Sequence, residues 1–293
     1  MSQSIVVVGA TGTVGSQLIA QLAATGRRVK GLVRDEDKAA SISEVADPVI
    51  GDLAEPASLA AAFEGADRVF VLAPPVPDQE MLTTNALEAA SSAGVERIVY
   101  LSGYGVGELD DDHFNAMAAA EGHLRELAVE WTVLRPARFM SHTPFVWSSV
   151  LKRNLLLEAG GEAPIVVVDP ADVAAAALVA LTTDGHNGQV YKLTSGESFN
   201  ARWLADTLAD ALGGRDMEIF AGNTEALRLE LIASGAPGEY APFMANYFSN
   251  VVSGFWQVTD TVERLTGRPP STYTDWLHLN LPGVVAAGVG PTG

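Results

Sequence analysis

The 293-residue chain contains no cysteine. This absence excludes disulfide bonds, thiolate catalysis and metal sites with cysteine ligands. No run of about 18 apolar residues occurs, so the sequence predicts no membrane-spanning helix and no membrane partner. The first residues lack the basic and apolar segments of a secretory signal, which favours a cytoplasmic protein. The histidines show no ligand spacing, and we expect no metal site.

Positive charge is also scarce. The chain has 18 Lys and Arg residues against 36 Asp and Glu residues, and its formal net charge is −18. Such a field repels nucleic-acid phosphates, so we expect no nucleic-acid partner. An anionic cofactor must therefore be held by local arginines and helix N-termini. Hydrophobic residues make up 48% of the chain, which is enough for a sizeable core in one large domain or two smaller ones.

The most informative motif lies at residues 5–18, IVVVGATGTVGSQL. Residues 5–8 predict a buried strand, and residues 16–22 have the spacing of a helix with one apolar face. The glycines between them stand in the order and context of a dinucleotide-binding loop, where they permit a tight turn, close approach of a pyrophosphate and close packing of helix on strand. We predict that phosphates meet the N-terminus of this helix. The candidate residues are Gly9, Thr11, Gly12, Thr13, Val14 and Gly15.

Strands and helices alternate at short intervals through residues 28–134, which predicts an α/β fold with a doubly wound parallel Rossmann sheet. The predicted strands cover residues 28–33, 48–50, 67–72, 97–101 and 131–134, and the predicted helices cover residues 56–63, 78–93 and 113–127. Ligands of such folds bind at the carboxyl ends of the strands. The residues expected there are Arg34, Asp52, Leu53, Ala73, Pro74, Pro75 and Ser102.

Arg34, directly after the second predicted strand, decides between the two nicotinamide dinucleotides. An acidic residue at this place accepts a hydrogen bond from the ribose 2′-hydroxyl of NAD, whereas an arginine matches the 2′-phosphate of NADP. Because Arg34 precedes Asp35, we favour NADP over the alternative that Arg34 is a solvated loop charge. Asp52 has two interpretations of equal weight, a contact with the adenine amine or the N-cap of helix 56–63.

Beyond residue 136 the alternation loosens. Strands are predicted at residues 163–168 and 189–193, and helices at residues 170–181, 201–212 and 224–233. An apolar and aromatic helical face then runs from Tyr240 to Val251. This face either packs on the core or forms a lid over a hydrophobic pocket, together with Phe255. The candidate substrate residues are Phe139, Met140, Tyr240, Phe243, Met244, Tyr247 and Trp256, whereas His142 is expected to be an ordinary turn residue.

Over nearly its whole length the chain resembles the NmrA-like group of atypical short-chain dehydrogenase/reductases. The resemblance rests on the ordered series GATGTVG, LVRD, VLAPP, YLSG, WTVLRPARFM, VVDPADVAAAA and YKLTSGESF. It implies an extended Rossmann domain that binds NADPH and a smaller, mainly helical substrate domain. We expect the first domain at residues 1–140 and 165–195, the substrate-binding and lid domain at residues 141–164 and 196–281, and a flexible tail at residues 282–293.

The chain departs from the wider superfamily at the catalytic positions. Superfamily reductases carry Tyr-x-x-x-Lys on the helix after the fifth strand, and related NmrA-like proteins often show His-x-x-x-Lys followed by Glu. Here His113 and Glu121 match the second pattern, but Met117 stands at the lysine position. Methionine can neither bond a ribose nor tune an acid, so the usual Ser-Tyr-Lys acid is missing. The candidate catalytic residues are Ser102, Tyr104 and His113.

Two functions are compatible with this departure. The first is an NADPH-dependent reductase of an aromatic or polycyclic ketone or quinone, in which the substrate or water supplies the proton. The aromatic face and the alanine richness suggest an aromatic polyketide-type substrate, as in angucyclinone-type ketoreductases of antibiotic pathways. The second is a catalytically silent NADP(H)-binding redox sensor or regulator. We favour the reductase, acting on a small aromatic molecule as a monomer or homodimer.

Overall fold

The computed structural model describes residues 3–27, 29–141, 144–159, 161–238, 240–249 and 256–286. The chain divides into two compact units. The first unit combines Met1–Pro136, Pro170–Leu193 and Thr261–Arg268, and the second combines Ala137–Asp169, Thr194–Asp260 and Pro269–Gly293. These boundaries correct the expected ones, since residues 137–140, 165–169 and 194–195 belong to the second unit and residues 261–268 to the first.

Twelve strands and twelve helices lie in the described ranges. The strands are β1 (Ile5–Val7), β2 (Val29–Val33), β3 (Asp47–Ile50), β4 (Arg68–Val71), β5 (Arg97–Leu101), β6 (Glu130–Pro136), β7 (Arg138–Phe139), β8 (Leu155–Leu156), β9 (Ile165–Val168), β10 (Gln189–Leu193), β11 (Ser198–Phe199) and β12 (Glu218–Ile219). The helices are α1 (Thr13–Ala24), α2 (Glu36–Ile42), α3 (Pro56–Phe63), α4 (Gln79–Ser92), α5 (Asp112–Glu126), α6 (Pro144–Arg153), α7 (Pro170–Thr182), α8 (Ala201–Ala211), α9 (Thr224–Ala233), α10 (Ala241–Ser249), α11 (Thr261–Thr266) and α12 (Tyr273–Ala286). None of these helices combines the length and hydropathy that a bilayer crossing requires.

A seven-stranded sheet forms the centre of the first unit. Its order is β10-β6-β5-β4-β1-β2-β3, and every neighbouring pair is parallel. Strands β1, β4 and β5 are buried at every residue, as expected for a sheet covered on both faces. Side chains of α3, α4 and α5 share one core with the central strands, and α1 packs on α7. The prediction of a doubly wound parallel sheet is confirmed.

The second unit contains two small sheets. In the first, β9 pairs in parallel with β7 and antiparallel with β11. In the second, β8 pairs in parallel with β12. Because β9 pairs with both β7 and β11, residues 137–140 and 165–169 group with this unit rather than with the large sheet.

The end of the chain differs from the expected flexible tail. Helix α12 continues through Pro282 to residue 286, and residues 287–293 lie outside the described part of the chain. Proline removes one hydrogen bond from a helix interior and usually ends it. Here the first turns of α12 are anchored by the buried side chains of Tyr273, Trp276 and Leu277, and tertiary packing outweighs the local preference.

Candidate functional site

Two close backbone approaches shape the glycine-rich loop after β1. Gly9 has a φ of +75°, a conformation that residues with a Cβ rarely adopt. The Gly12 N–H donates to the Gly9 carbonyl oxygen over 2.9 Å and closes the turn. A Cβ on Gly15 would lie 2.0 Å from that same oxygen. Helix α1 can therefore begin in this position only with glycine in its first turn.

The N-terminus of α1 has no side-chain cap. Gly12 is the N-cap residue and brings no acceptor for the first N–H groups of the helix. Thr11 and Thr13 are exposed beside it, whereas the Val14 side chain is buried in the core and offers a ligand only its backbone. Backbone N–H groups at the positive end of a helix dipole are suited to phosphate oxygens. The loop thus fits the pyrophosphate of a dinucleotide.

The loop after β4 lies beside the glycine-rich loop. A Cβ on Gly9 would lie 3.3 Å from Cδ2 of Leu72, the residue that follows β4. Ala73 is buried next to it, and Pro74 and Pro75 are exposed. Because β1 and β4 are parallel neighbours, the structure brings these predicted site residues to the same edge of the sheet.

Arg34 and Asp35 follow β2 at this edge. Asp35 is the N-cap of α2, and its carboxylate accepts a hydrogen bond from the Lys38 N–H over 2.8 Å. The Asp35 carboxylate therefore serves as the cap of α2. Arg34 is exposed at the carboxyl end of β2, where the side chain can reach a ligand at the sheet edge.

Asp52 does not cap α3, so that interpretation was wrong. The N-cap residue of α3 is Glu55, which makes no side-chain capping bond. The Asp52 carboxylate instead accepts a hydrogen bond from the Ala54 N–H over 2.9 Å, which forms a local Asx turn. The Leu53 carbonyl accepts a hydrogen bond from Asn85 Nδ2 over 2.8 Å, and this contact holds the loop at the end of β3.

A buried carboxylate organises the end of β5. Glu121 on α5 accepts hydrogen bonds from Ser102 Oγ over 2.7 Å, from Arg135 Nε and Nη2 over 2.8 and 2.7 Å, and from Arg125 Nη2 over 2.7 Å. Burial raises the pKa of Glu121, but the donors from Arg135 and Ser102 outweigh it and the net pKa is lowered. The Ser102 hydroxyl therefore donates its hydrogen bond to a structural carboxylate. The one sequence signal for this role of Glu121 was its spacing from His113 in the NmrA-like pattern.

Met117 fills the lysine position with an apolar contact. Its side chain is buried, and a Cβ on Gly103 would lie 3.0 Å from its Sδ atom. A Cβ on Gly105 would lie 2.8 Å from Cζ of Phe114, one turn earlier on α5. The helix thus packs closely on the loop after β5, and methionine serves this packing.

His113 and Tyr104 lie near the same loop in different environments. Burial lowers the pKa of His113 to about 4, against the opposing charge of Asp111, so the imidazole is uncharged at neutral pH. Tyr104 is buried, and its N–H donates to the Pro136 carbonyl over 3.0 Å. Lys192 Nζ lies 4.5 Å from the centroid of the Tyr104 ring. The imidazole of His113 is therefore not a charged acid near pH 7.

The predicted substrate residues lie in the second unit. Met140, Met244, Tyr247 and Trp256 are buried, and Phe139, Tyr240 and Phe243 are half-buried. Ring centroids lie 5.4 Å apart for Tyr240 and Phe243, 5.8 Å apart for Phe243 and Tyr247, and 5.7 Å apart for Tyr247 and Trp256. The structure therefore joins four of these residues in one aromatic cluster. The residues His142, Val251 and Phe255 lie outside the described part.

Helices α9 and α10 pack on each other as a helical hairpin, and Thr224 Oγ1 donates to Ser249 Oγ over 2.9 Å. Whether this hairpin moves as a lid stays a prediction.

One sizeable cleft of the first unit, about 610 Å³, lies at the opposite, amino edge of the sheet. Arg68 and Arg97 line it, and both are buried. Arg97 donates to the carbonyls of Ala180 and Thr183, and Arg68 donates to that of Leu181. These arginines cap the carboxyl end of α7, so we assign them a structural role.

The fold and the glycine-rich loop define a dinucleotide-binding Rossmann protein. The chain matches the NAD(P)H-binding family over residues 9–184. It is 33% identical to (4-alkanoyl-5-oxo-2,5-dihydrofuran-3-yl)methyl phosphate reductase of Streptomyces griseus subsp. griseus, with 93% of this chain and 96% of that protein covered. It is 30% identical to an NAD(P)H azoreductase of Xenophilus azovorans, with the same coverage. The chain therefore belongs to the NAD(P)H-binding family, within the atypical, NmrA-like group of short-chain dehydrogenase/reductase oxidoreductases.

Solved structures agree with this fold. An NADPH-dependent quinone oxidoreductase of Escherichia coli, complexed with NADPH, superimposes with a TM-score of 0.86 at 23% identity over 94% of this chain and 99% of that chain. A triphenylmethane reductase of Citrobacter sp., complexed with NADP(H), superimposes with a TM-score of 0.82 at 23% identity and the same coverage. At this identity the likeness shows the fold.

Proposed function

We propose that the protein is an NADPH-dependent reductase of an aromatic or polycyclic quinone or ketone. The observation that carries the proposal is the glycine-rich loop with the uncapped N-terminus of α1, which fits a pyrophosphate. NADPH, when bound, supplies the hydride. The names of the two curated relatives, an azoreductase and a furanone phosphate reductase, support reduction of a small organic molecule.

The residues that we propose to hold the cofactor lie at the carboxyl edge of the large sheet. Backbone N–H groups of the glycine-rich loop receive the pyrophosphate, and Arg34 receives the 2′-phosphate. The loops after β3 and β4 flank the dinucleotide. The proposed cofactor residues are Gly9, Thr11, Gly12, Thr13, Val14, Gly15, Arg34, Asp52, Leu53, Ala73, Pro74 and Pro75.

Arg34→Ala is expected to weaken NADPH binding by about 10-fold or more and to leave NADH binding unchanged, because it removes a charge-assisted contact with the 2′-phosphate. Isothermal titration of both nucleotides into both proteins checks this. Arg202→Ala is a suitable control, since this exposed arginine pairs with Asp206 on α8. Equal affinities for the two nucleotides in the wild-type protein would refute the assignment of Arg34.

The proton for the reduced oxygen is proposed to come from the substrate or from water. Ser102 is engaged by Glu121, and His113 is neutral at the pH of the assay. We expect His113→Ala and Tyr104→Phe each to lower kcat by less than about 10-fold, well below the effect of losing a general acid. The pH profile of kcat should show no step near pH 6.5 that His113→Ala removes. A loss of 100-fold in either variant, with NADPH binding intact, would identify a protein acid.

For the substrate we propose an aromatic polyketide-type ketone or quinone, and the aromatic cluster of α10 supports this class. The second candidate is an NADP(H)-binding sensor without turnover, which Met117 at the lysine position favours. NADPH oxidation is measured against quinones, phenolic ketones and azo dyes. Turnover of any of them supports the reductase, whereas tight NADPH binding without turnover supports the sensor. The cytoplasmic location and a monomeric or homodimeric state also stay proposals.

A further inference from the structure

An ion pair is buried within the second unit. Arg138 on β7 contacts Glu158, which lies two residues after β8, through Nη2 and Oε1. The two side chains are 4% and 0% exposed. Charges withdrawn from water this completely are stable only when hydrogen bonds satisfy their other donors and acceptors as well.

Within the described part of the chain, most of the hydrogen-bonding capacity of this pair is unused. Among the described residues, Nε and Nη1 of Arg138 have no hydrogen-bond partner. Neither oxygen of Glu158 accepts a hydrogen bond of good geometry there. Leaving buried donors and acceptors unmatched is unfavourable. A partner that donates to Glu158 and accepts from Arg138 would relieve both.

Aromatic side chains surround the pair. Cζ of Arg138 lies 4.5 Å from the ring centroid of Phe248 on α10. Tyr247 and Tyr273 lie close enough to Arg138 to interact electrostatically with its guanidinium. Burial raises the pKa of both phenols. The Tyr247 ring in turn meets the Trp256 ring edge-on at 5.7 Å. The unmatched polar atoms thus lie beside a group of aromatic side chains, here called the aromatic wall, which consists of Phe248, Tyr247, Tyr273 and Trp256.

A hydroxyl group on a flat aromatic molecule matches this combination. Its O–H donates to the Glu158 carboxylate, its oxygen accepts from Arg138, and its ring packs against the aromatic wall. An anionic group fits less well, because Glu158 neutralises Arg138 and repels a second negative charge. We propose that Arg138 and Glu158 form a recognition site for an aromatic hydroxyl group. The inference rests on the proposed function and deepens it, since it names a group that the substrate carries.

The test needs variants that fold without the pair. The double variant Arg138→Met with Glu158→Leu replaces both charges by apolar groups of similar length, a change that buried ion pairs generally tolerate. Arg138→Lys keeps the positive charge opposite Glu158 but lacks the planar set of donors. Thermal unfolding of each variant, compared with the wild-type protein, establishes that the fold is retained.

Binding is measured by calorimetry on the NADP⁺-saturated protein with 2-naphthol and with 2-methoxynaphthalene, which cannot donate. We expect the wild-type protein to bind 2-naphthol about 10-fold more tightly than 2-methoxynaphthalene. In the double variant the affinities for the two probes should become equal. The preference of Arg138→Lys for 2-naphthol should lie between those of the wild-type protein and the double variant. Equal affinities in the wild-type protein, a preference that survives in the double variant, or no binding of either probe would overturn the proposal.

Calorimetry requires no turnover, so the two hypotheses fail separately. A preference for 2-naphthol that depends on the pair, in a protein that oxidises no NADPH, would refute the reductase and support the site. Quinone reduction without such a preference would support the reductase and refute the site.

Discussion

Gly15→Ala is expected to weaken NADPH binding on the order of 100-fold and to lower the melting temperature, because the added methyl group clashes with backbone atoms that cannot move away locally. The added Cβ would lie 2.0 Å from the Gly9 carbonyl oxygen and 2.8 Å from its carbon. Both contacts are with backbone, so no side-chain rotation removes them. Helix α1 must shift away from β1, and its first N–H groups then leave the position that suits a phosphate. Isothermal titration with NADPH and thermal unfolding measure the two effects.

Gly122→Ala is the matched control for this variant. Gly122 also lies inside a helix of the first unit, on α5, and a Cβ there would have no heavy atom within 4 Å. Alanine is the better helix former, so the control should be stabilised by up to about 1 kcal/mol without a change in NADPH affinity. Equal NADPH affinities in the two variants would contradict the role of Gly15 in shaping the loop.

Glu121→Gln is expected to lower the free energy of unfolding by about 3 kcal/mol at pH 7, because it leaves Arg135 without its buried counter-charge. The side chain of Glu121 is 1% exposed, and it binds two arginines and Ser102. Urea denaturation of both proteins measures the loss. Glu225→Gln, which breaks the exposed pair with Arg228 on α9, should leave the stability unchanged.

The same carboxylate makes stability depend on pH. The pKa of Glu121 is lower in the folded protein than its ordinary value of 4.5. Its contribution is therefore fully present above pH 4.5 and is lost as the pH falls through the lower, folded pKa. Below that pH the wild-type protein and Glu121→Gln should converge in stability. A difference that stays constant down to pH 2 would show that the charge of Glu121 is not responsible.

The regular part of the fold was predictable because its patterns are local. Helices α3 and α9 and strands β5 and β10 begin and end at the predicted residues, where apolar periodicity and turn residues coincide. The short strands of the second unit are two residues long in most cases, too short to show a period. Helix α2 was missed because its apolar residues are few, although the N-cap Asp35 was a usable signal.

Long-range contacts explain what the sequence could not predict. Residues 261–268 belong to the first unit, where Arg268 Nη2 contacts Asp172 Oδ1 at 2.7 Å although the two residues are nearly a hundred positions apart in the sequence. Ser102 is engaged by Glu121 through a contact between a strand end and a helix. The Arg138–Glu158 pair likewise joins residues that no local rule connects. In each case the partner is chosen by tertiary packing, which periodicity does not report.

The assignment of a reductase is tested most directly by following the hydride itself. NADPH carrying deuterium at one face of the nicotinamide C4 is incubated with the protein and 1,4-naphthoquinone, and the nicotinamide product is analysed by mass spectrometry. We expect that one of the two labelled forms loses its deuterium and is oxidised more slowly than unlabelled NADPH, whereas the other keeps its label. Tight NADPH binding without oxidation of either form, across the quinones, phenolic ketones and dyes, would contradict it.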